Sequence, residues 1–312
     1  MPSETPVAAA APSKLQTFCK RLFSTVVLWA VVLAALFSGN PTIAAVAVLV
    51  VLNVLCCFAL LEFCDLSAAA GRKSYRKQTV ALGCVAVSAC WAGWFFGPGD
   101  AGGILHLMSV FPGLVLMGAL VHGVFCRDMP AAPTAVVVST FGFLYVGWTL
   151  CLMQALYFLH AAEGAWWLLY FILVTKASDM GAYAVGSLIG RHKMIPRLSP
   201  GKTWEGFGGA ILVSMAVSLV FAHFAQAHLT GMTLIHAVIL GALLGVGAVV
   251  GDLVESLFKR EAGAKDSGRY FPGIGGVLDL VDSLLFNAPI MYAYLVSVSY
   301  THLRAHETGR NL

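Results

Sequence analysis

Charge is what this chain has least of. Lysine, arginine, aspartate and glutamate together make up 11% of its 312 residues against 59% apolar residues, and the mean hydropathy is +0.84. A soluble globular domain has roughly a quarter of its residues charged, so a water-soluble fold is excluded and the chain is read as integral to a membrane. The eight cysteines (19, 56, 57, 64, 84, 90, 126 and 151) form no CxxC pair and lie in or beside apolar runs. That excludes a zinc site or a disulfide framework and leaves them as small apolar fillers. The first apolar run, about 22–38, lacks a small-residue cleavage site and reads as a retained span rather than a signal peptide. No internal repeat points to an inverted-repeat transporter.

The apolar runs place spans near 22–38, 42–61, 79–97, 103–125, 134–160, 165–189, 205–227, 233–258 and 276–297. The expected fold is therefore all-α and polytopic, with about nine transmembrane helices. The loops carry a second absence. Those near 39–41, 98–102, 161–164 and 228–232 contain no Lys or Arg. The intervening ones hold Lys14, Lys20 and Arg21; Arg72, Lys73, Arg76 and Lys77; Arg127; Arg191, Lys193, Arg197 and Lys202; and Lys259, Arg260, Lys265 and Arg269. This alternation puts the basic loops and the N-terminus in the cytoplasm.

Residues 1–13 are rich in Ala, Pro and Ser and read as disordered. Residues 14–160 form an N-terminal set of helices and 161–296 a C-terminal catalytic region. From about 297, Val298-Ser299-Tyr300-Thr301-His302-Leu303-Arg304-Ala305-His306-Glu307-Thr308 reads as the translation of a transposase sequencing adapter, so 297–312 is set aside as non-native.

What charge there is clusters. In 251–260, Asp252, Glu255, Ser256 and Lys259 fall at i, i+3, i+4 and i+7 and share one helix face. Lys265-Asp266, Pro272-Gly273-Ile274-Gly275-Gly276, Asp279 and Asp282 follow. Carboxylates beside apolar segments are costly and are kept mainly where they act. A glycine-rich turn beside lysines can approach phosphate oxygens. Asp252 and Asp279 could together hold a hard divalent cation such as Mg²⁺, which favours one or two carboxylates plus substrate phosphates. Glu255 or Asp282, taken singly, could equally cap a helix or pair with Lys259 and Arg260.

A second stretch places Lys176, Asp179 and Tyr183 on one face and continues into Ser199-Pro200-Gly201-Lys202-Thr203-Trp204-Glu205-Gly206. Lys176 and Asp179 could be a neutralising pair that fixes helix packing. On charge alone, the 191–202 loop is explained as well by contact with anionic lipid. The ordered Ser-Pro-Gly-Lys string is more specific than a basic patch requires.

The pattern Ser256-x2-Lys259-Arg260-x4-Lys265-Asp266-x5-Pro272-Gly273-x-Gly275-Gly276-x2-Asp279-x2-Asp282 resembles the signature of the phosphatidate cytidylyltransferases, or CDP-diacylglycerol synthases. Ser199 to Gly206, and Asp179-x2-Ala182-Tyr183, are similar to other stretches of that family. The detailed match covers about 175–290. The family usually has His where Ile274 stands and Arg where Leu280 stands.

The resemblance implies transfer of the cytidylyl group of CTP to phosphatidic acid, giving CDP-diacylglycerol and pyrophosphate. It implies Asp252 and Asp279 as Mg²⁺ ligands, with a second cation such as K⁺ as a further expectation. Lys259, Arg260, Lys265, Asp266 and Asp282 are the expected catalytic group. Asp179, Ser199, Lys202, Glu255, Ser256, Gly275 and Gly276 are the expected substrate contacts. Expected partners are CTP, phosphatidic acid, membrane lipids and a second copy as a homodimer, with no nucleic acid. The expected location is a bacterial inner membrane with the site on the cytoplasmic side. Rival readings are a CTP-dependent transferase acting on another lipid phosphate or a polyprenol, a transporter that turns over no nucleotide, and an inactive homologue.

Overall fold

The computed structural model describes residues 30–97, 101–126, 129–160, 163–268 and 276–310, with side chains given outside 101–107, 129 and 299–310. The protein is an all-α integral membrane protein. After helical residues 30–36, the long helices are α1 (Pro41–Ala69), α2 (Arg76–Phe96) and α3 (Ala101–Val124). Helix α4 (Ala132–Phe158) follows, then α5 (Gly164–Ile189), α6 (Trp204–Phe224), α7 (Leu234–Glu261) and α8 (Val277–Arg310). Among the described residues, seven helices are long and apolar enough to cross a membrane. They match seven of the nine expected spans. The 103–125 run corresponds to α3, whose described apolar stretch, Met108–Val124, is shorter. Residues 22–29 of the 22–38 run lie outside the described residues, as do Cys19 and positions 1–13. The other seven cysteines are free thiols, four of them buried, as fillers should be.

The run at 134–160 is one continuous helix that carries a π-helical turn at Phe143–Trp148. It is the most enclosed of the spans, with Phe143, Leu150 and Leu156 fully buried. Such a turn re-aims the side chains beyond it without ending the helix.

Helices α5 to α8 pack through small residues, as expected where lipid supplies no hydrophobic drive between helices. A Cβ on Gly181 of α5 would lie 2.6 Å from the Gly209 carbonyl oxygen of α6, so the two backbones touch. Polar side chains satisfy one another across the same seams. Ser218 Oγ donates to the Ala237 carbonyl at 2.6 Å and lies 2.6 Å from the Tyr170 hydroxyl, linking α5, α6 and α7. Asn287 Nδ2 donates to the Leu244 carbonyl at 2.8 Å and to Thr175 Oγ1 at 3.1 Å, linking α8 to α7 and α5.

Between α5 and α6 the chain makes an antiparallel hairpin of β1 (Lys193–Ile195) and β2 (Ser199–Thr203). Thr203 then caps α6, its Oγ1 accepting from the Gly206 amide at 3.1 Å. Glu205 reaches back to accept from the amides of Arg191 at 3.1 Å and His192 at 3.2 Å, as an orienting group at the helix start should. At the far end of α6, the Thr230 hydroxyl donates to Glu163 Oε1 at 2.6 Å. That bond holds the Glu163 carboxyl below the usual carboxylate range.

The 21 residues of α6 span about 30 Å at 1.5 Å per residue, so the hairpin and the Gln226–His228 turn lie at opposite ends of the bundle. Single cysteines replacing exposed His192 and exposed Ala227 in a cysteine-free protein should therefore react with an impermeant thiol reagent from opposite sides of a sealed vesicle. Reaction of both from one side would break this topology.

Candidate functional site

At the hairpin end of the bundle, α5, α7 and α8 bring charged side chains together, and β2 adds one more. Helix α7 carries Asp252, Glu255 and Lys259 on one face. Helix α8 contributes Asp279 and Asp282 from its first two turns, α5 contributes Lys176 and Asp179, and β2 contributes Lys202.

Helix α7 packs tightly on α8 at Gly251. A Cβ there would lie 2.8 Å from the Asp282 carbonyl oxygen and 2.8 Å from Phe286 Cβ. With no side chain at 251, Asp252 and Asp282 can face each other. Ligand atoms of Asp252, Glu255 and Asp282 all lie within 4.8 Å of one another. Glu255 and Asp282 are buried. Lys202 Nζ approaches Asp252 Oδ2 at 2.7 Å and donates to the Val249 carbonyl at 3.1 Å, which fixes the lysine on α7.

Asp279 sits one step away, differently engaged. Its Oδ1 accepts from Lys259 Nζ at 2.7 Å, and its Oδ2 accepts from the amides of Ser267 at 3.1 Å and Gly276 at 3.0 Å. Lys259 also reaches Glu255 Oε2 at 2.6 Å, so one ammonium bridges the two carboxylates. On the other flank, Lys176 Nζ donates to Ser283 Oγ at 2.8 Å and lies 3.5 Å from Asp179 Oδ2 and 4.0 Å from Asp282 Oδ1.

The expected metal pair was Asp252 and Asp279. The carboxylates whose oxygens lie mutually within 4.8 Å are Asp252, Glu255 and Asp282, and Asp279 beside them bonds Lys259 and two main-chain amides. Asp179 and Lys202 join the cluster, and Gly276 enters it through its amide. Ser256 is half-buried on α7 beside Glu255. Arg260 is exposed and donates from Nε to the Leu198 carbonyl at 3.0 Å, pinning the hairpin turn. Lys265 and Asp266 are exposed on the turn after α7. Ser199 begins β2, paired with Ile195. Gly275 and Ile274 lie outside the described residues.

Three polar residues joined to the site were absent from the expected set. Ser267 and Ser283 hold Asp279 and Lys176. Glu62, fully buried on α1, accepts from the Ser267 hydroxyl at 3.1 Å and from the Leu278 amide at 2.8 Å. Its signal was present: it is an acid inside a long apolar run, where ionisable side chains mark function.

The donor set suits a divalent cation. Five carboxyl groups (179, 252, 255, 279 and 282) share the site with three lysine side chains (176, 202 and 259), so acids outnumber lysines by two. Buried Glu255 Oε1 has no hydrogen-bond partner among the described residues. Carboxylate oxygens are the ligands Mg²⁺ takes.

A cavity of about 720 Å³ adjoins this cluster. Lys176, Asp179 and Asp279 stand in its wall, and the rest is almost wholly apolar, including Val48, Leu52 and Leu284. Leu280 also lines it.

A polytopic bundle with lysines and carboxylates gathered at the mouth of an apolar cavity has the form of a membrane-embedded enzyme. The profile of the cytidylyltransferase family matches residues 19–298, and the chain belongs to that family. It is 40% identical over 168 residues to a phosphatidate cytidylyltransferase of Staphylococcus epidermidis, covering 51% of this chain and 64% of that protein. It is 42% identical over 128 residues to the phosphatidate cytidylyltransferase of Haemophilus influenzae, covering 41% and 44%. It is 35% identical over 159 residues to the uncharacterized protein YnbB of Escherichia coli, covering 51% of each. The matches thus span 44–64% of the length of these relatives, less than two thirds of each.

Gly251→Ala should force α7 and α8 apart at the point where Asp252 and Asp282 meet. Overpacking of this kind costs about 1–3 kcal/mol. Thermal unfolding should show a lowered midpoint, and divalent-cation binding should weaken with it. An unchanged midpoint with unchanged binding would show that this contact does not set the site.

Proposed function

We propose that the protein transfers the cytidylyl group of CTP to phosphatidic acid, giving CDP-diacylglycerol and pyrophosphate, at the cytoplasmic face of a bacterial inner membrane. The observation that carries this reading is the cavity. Its polar end is lined by Lys176, Asp179 and Asp279 and its remainder by apolar helix faces, a shape suited to a ligand with a phosphate at one end and hydrocarbon at the other. Membership of the cytidylyltransferase family and the relatives' names support the same chemistry.

In the proposed reaction, a phosphate oxygen of phosphatidic acid bonds to the α-phosphorus of CTP while the bond from that phosphorus to the bridging oxygen of the β-phosphate breaks. Transfers of this class depend on positioning and charge neutralisation rather than on covalent help from the protein. Lys202 and Lys259, both held by carboxylates, present fixed ammonium groups to phosphate oxygens. Lys176, anchored to Ser283 Oγ, stands in the cavity wall and orients the lipid phosphate. Asp279 sets Lys259 by accepting from it while two main-chain amides hold the carboxylate still. Asp252, Glu255 and Asp282 would hold Mg²⁺. When bound, the ion supplies neutralisation of the charge that develops on the phosphate oxygens. The basic residues of the hairpin and of the α7–α8 connection support a cytoplasmic position for this end of the bundle, where CTP is found.

Purified protein given CTP, phosphatidic acid and Mg²⁺ should release pyrophosphate, and EDTA should abolish the release. No release with phosphatidic acid or any other lipid phosphate would refute the transferase reading; release undiminished by EDTA would refute the metal assignment.

Asp252→Asn and Asp282→Asn should each lower turnover by about 10²-fold, the scale of losing one preorganised electrostatic group, and raise the Mg²⁺ concentration needed for half-maximal rate. Asp279→Asn should lower turnover comparably but leave the Mg²⁺ requirement near that of the wild type, because its partner is Lys259. A Mg²⁺ titration of the three variants separates these outcomes. A shift confined to Asp279→Asn would reverse the assignment.

A further inference from the structure

Glu62 is buried on α1, and its partners lie far along the chain. Its Oε2 accepts from Ser267, 205 positions away, and from the Leu278 amide, 216 positions away. No Lys or Arg among the described residues pairs with it. An acid in an apolar helix without a cationic partner is costly to retain, and here it is met by one hydroxyl and one of the free amides in the first turn of α8.

The two groups it joins flank the Pro272-Gly273 stretch, and both belong to the network around Asp279. Ser267 Oγ, which donates to Glu62, also accepts from the Asp279 amide at 3.2 Å. The Ser267 amide donates to Asp279 Oδ2 at 3.1 Å. Glu62, Ser267, Asp279 and Lys259 therefore form one connected chain of hydrogen bonds from α1 into the charged cluster.

Space for the carboxylate depends on two glycines. A Cβ at Gly268 would lie 2.1 Å from Glu62 Oε1, and its three nearest atoms would all belong to Glu62. A Cβ at Gly276 would lie 2.8 Å from Glu62 Oε2 and 1.8 Å from Ser267 Oγ. The Gly276 amide in turn serves Asp279.

We propose that Glu62 is a positioning residue for the transfer reaction: by tying Ser267 to Leu278 it fixes the Asp279 carboxylate, and through it the Lys259 ammonium that meets the phosphates. The inference rests on the transferase reading above. It also gives the N-terminal helices, which carry none of the expected site residues, a part in the chemistry.

The test uses the full chain in lipid nanodiscs, as wild type and as Glu62→Ala, Glu62→Gln, Gly268→Ala and the double variant Glu62→Ala with Gly268→Ala. Amide exchange is measured on peptides covering 265–268 and 276–284, with α5 peptides as reference, alongside kcat and the KM for CTP and for phosphatidic acid. Glu62→Ala should raise exchange at Leu278 and Ser267, leave α5 unchanged, and lower kcat by about 10²-fold, the loss that accompanies displacement of a positioned group by an ångström. The KM for phosphatidic acid should stay within about two-fold, since Glu62 does not line the cavity. Glu62→Gln keeps one carbonyl acceptor and should recover most of the rate. Gly268→Ala should reproduce the loss, and adding it to Glu62→Ala should cause no further loss, because the atom it collides with is gone.

Unchanged exchange in Glu62→Ala overturns the clamp. Raised exchange with wild-type kcat overturns the positioning role, as do additive losses in the double variant. A wild-type protein that releases no pyrophosphate removes the transferase reading and the catalytic half of this one, while the exchange data still decide the clamp.

Discussion

Crowding of acidic side chains inside an apolar bundle is the constraint on which the site depends. Asp252, Glu255 and Asp282 bring oxygens within 4.8 Å of one another, Asp179 and Asp279 flank them, and three lysines interleaved among the five offset part of their repulsion. In a medium of low effective dielectric that repulsion is strong. The surrounding structure therefore has to hold each carboxylate by something other than its neighbour. Asp279 is held by two amides, Lys202 is anchored to the Val249 carbonyl, and Lys176 is anchored to Ser283. The close helix seams at Gly181 and Gly251 supply the rigidity that this requires. Packing in this protein serves the charges as much as it serves the core.

The same arrangement explains why the lysines are shared. Lys259 bridges Glu255 and Asp279, and Lys202 meets Asp252 while bonded to main chain. In the proposed reaction, a lysine tethered in this way would lose little further side-chain entropy on meeting a phosphate, its charge being already in place. Arg260, by contrast, bonds the Leu198 carbonyl and so ties the hairpin turn to the end of α7.

Much of this was legible in the sequence, for physical reasons that differ by level. Long apolar runs located α1 to α8 because the bilayer imposes one length on every span. The three- and four-residue spacing of Asp252, Glu255 and Lys259 placed them correctly on one face of α7. Which carboxylates meet across helices was not legible. Asp279 and Asp282 are three apart on α8, and the choice between them as partner for Asp252 is made by where α7 touches α8, at Gly251. That depends on a crossing geometry that spacing does not encode. The hairpin escaped notice because its strands are three and five residues long and Pro200 sits within one of them. Glu62 carried a signal in isolation, but its partners lie more than two hundred residues away, and no local pattern connects them.

The cavity beside Lys176 and Asp179 is walled by the side chains of membrane-spanning helices. The lipid substrate proposed above would be drawn from the bilayer, so its supply would be a surface density and not a volume concentration. Diluting vesicles in buffer would leave the occupancy of the cavity untouched while starving the polar end of anything dissolved in water. Diluting the ligand with inert lipid would do the reverse. The two ends of one site thus obey different laws of mass action, one in two dimensions and one in three.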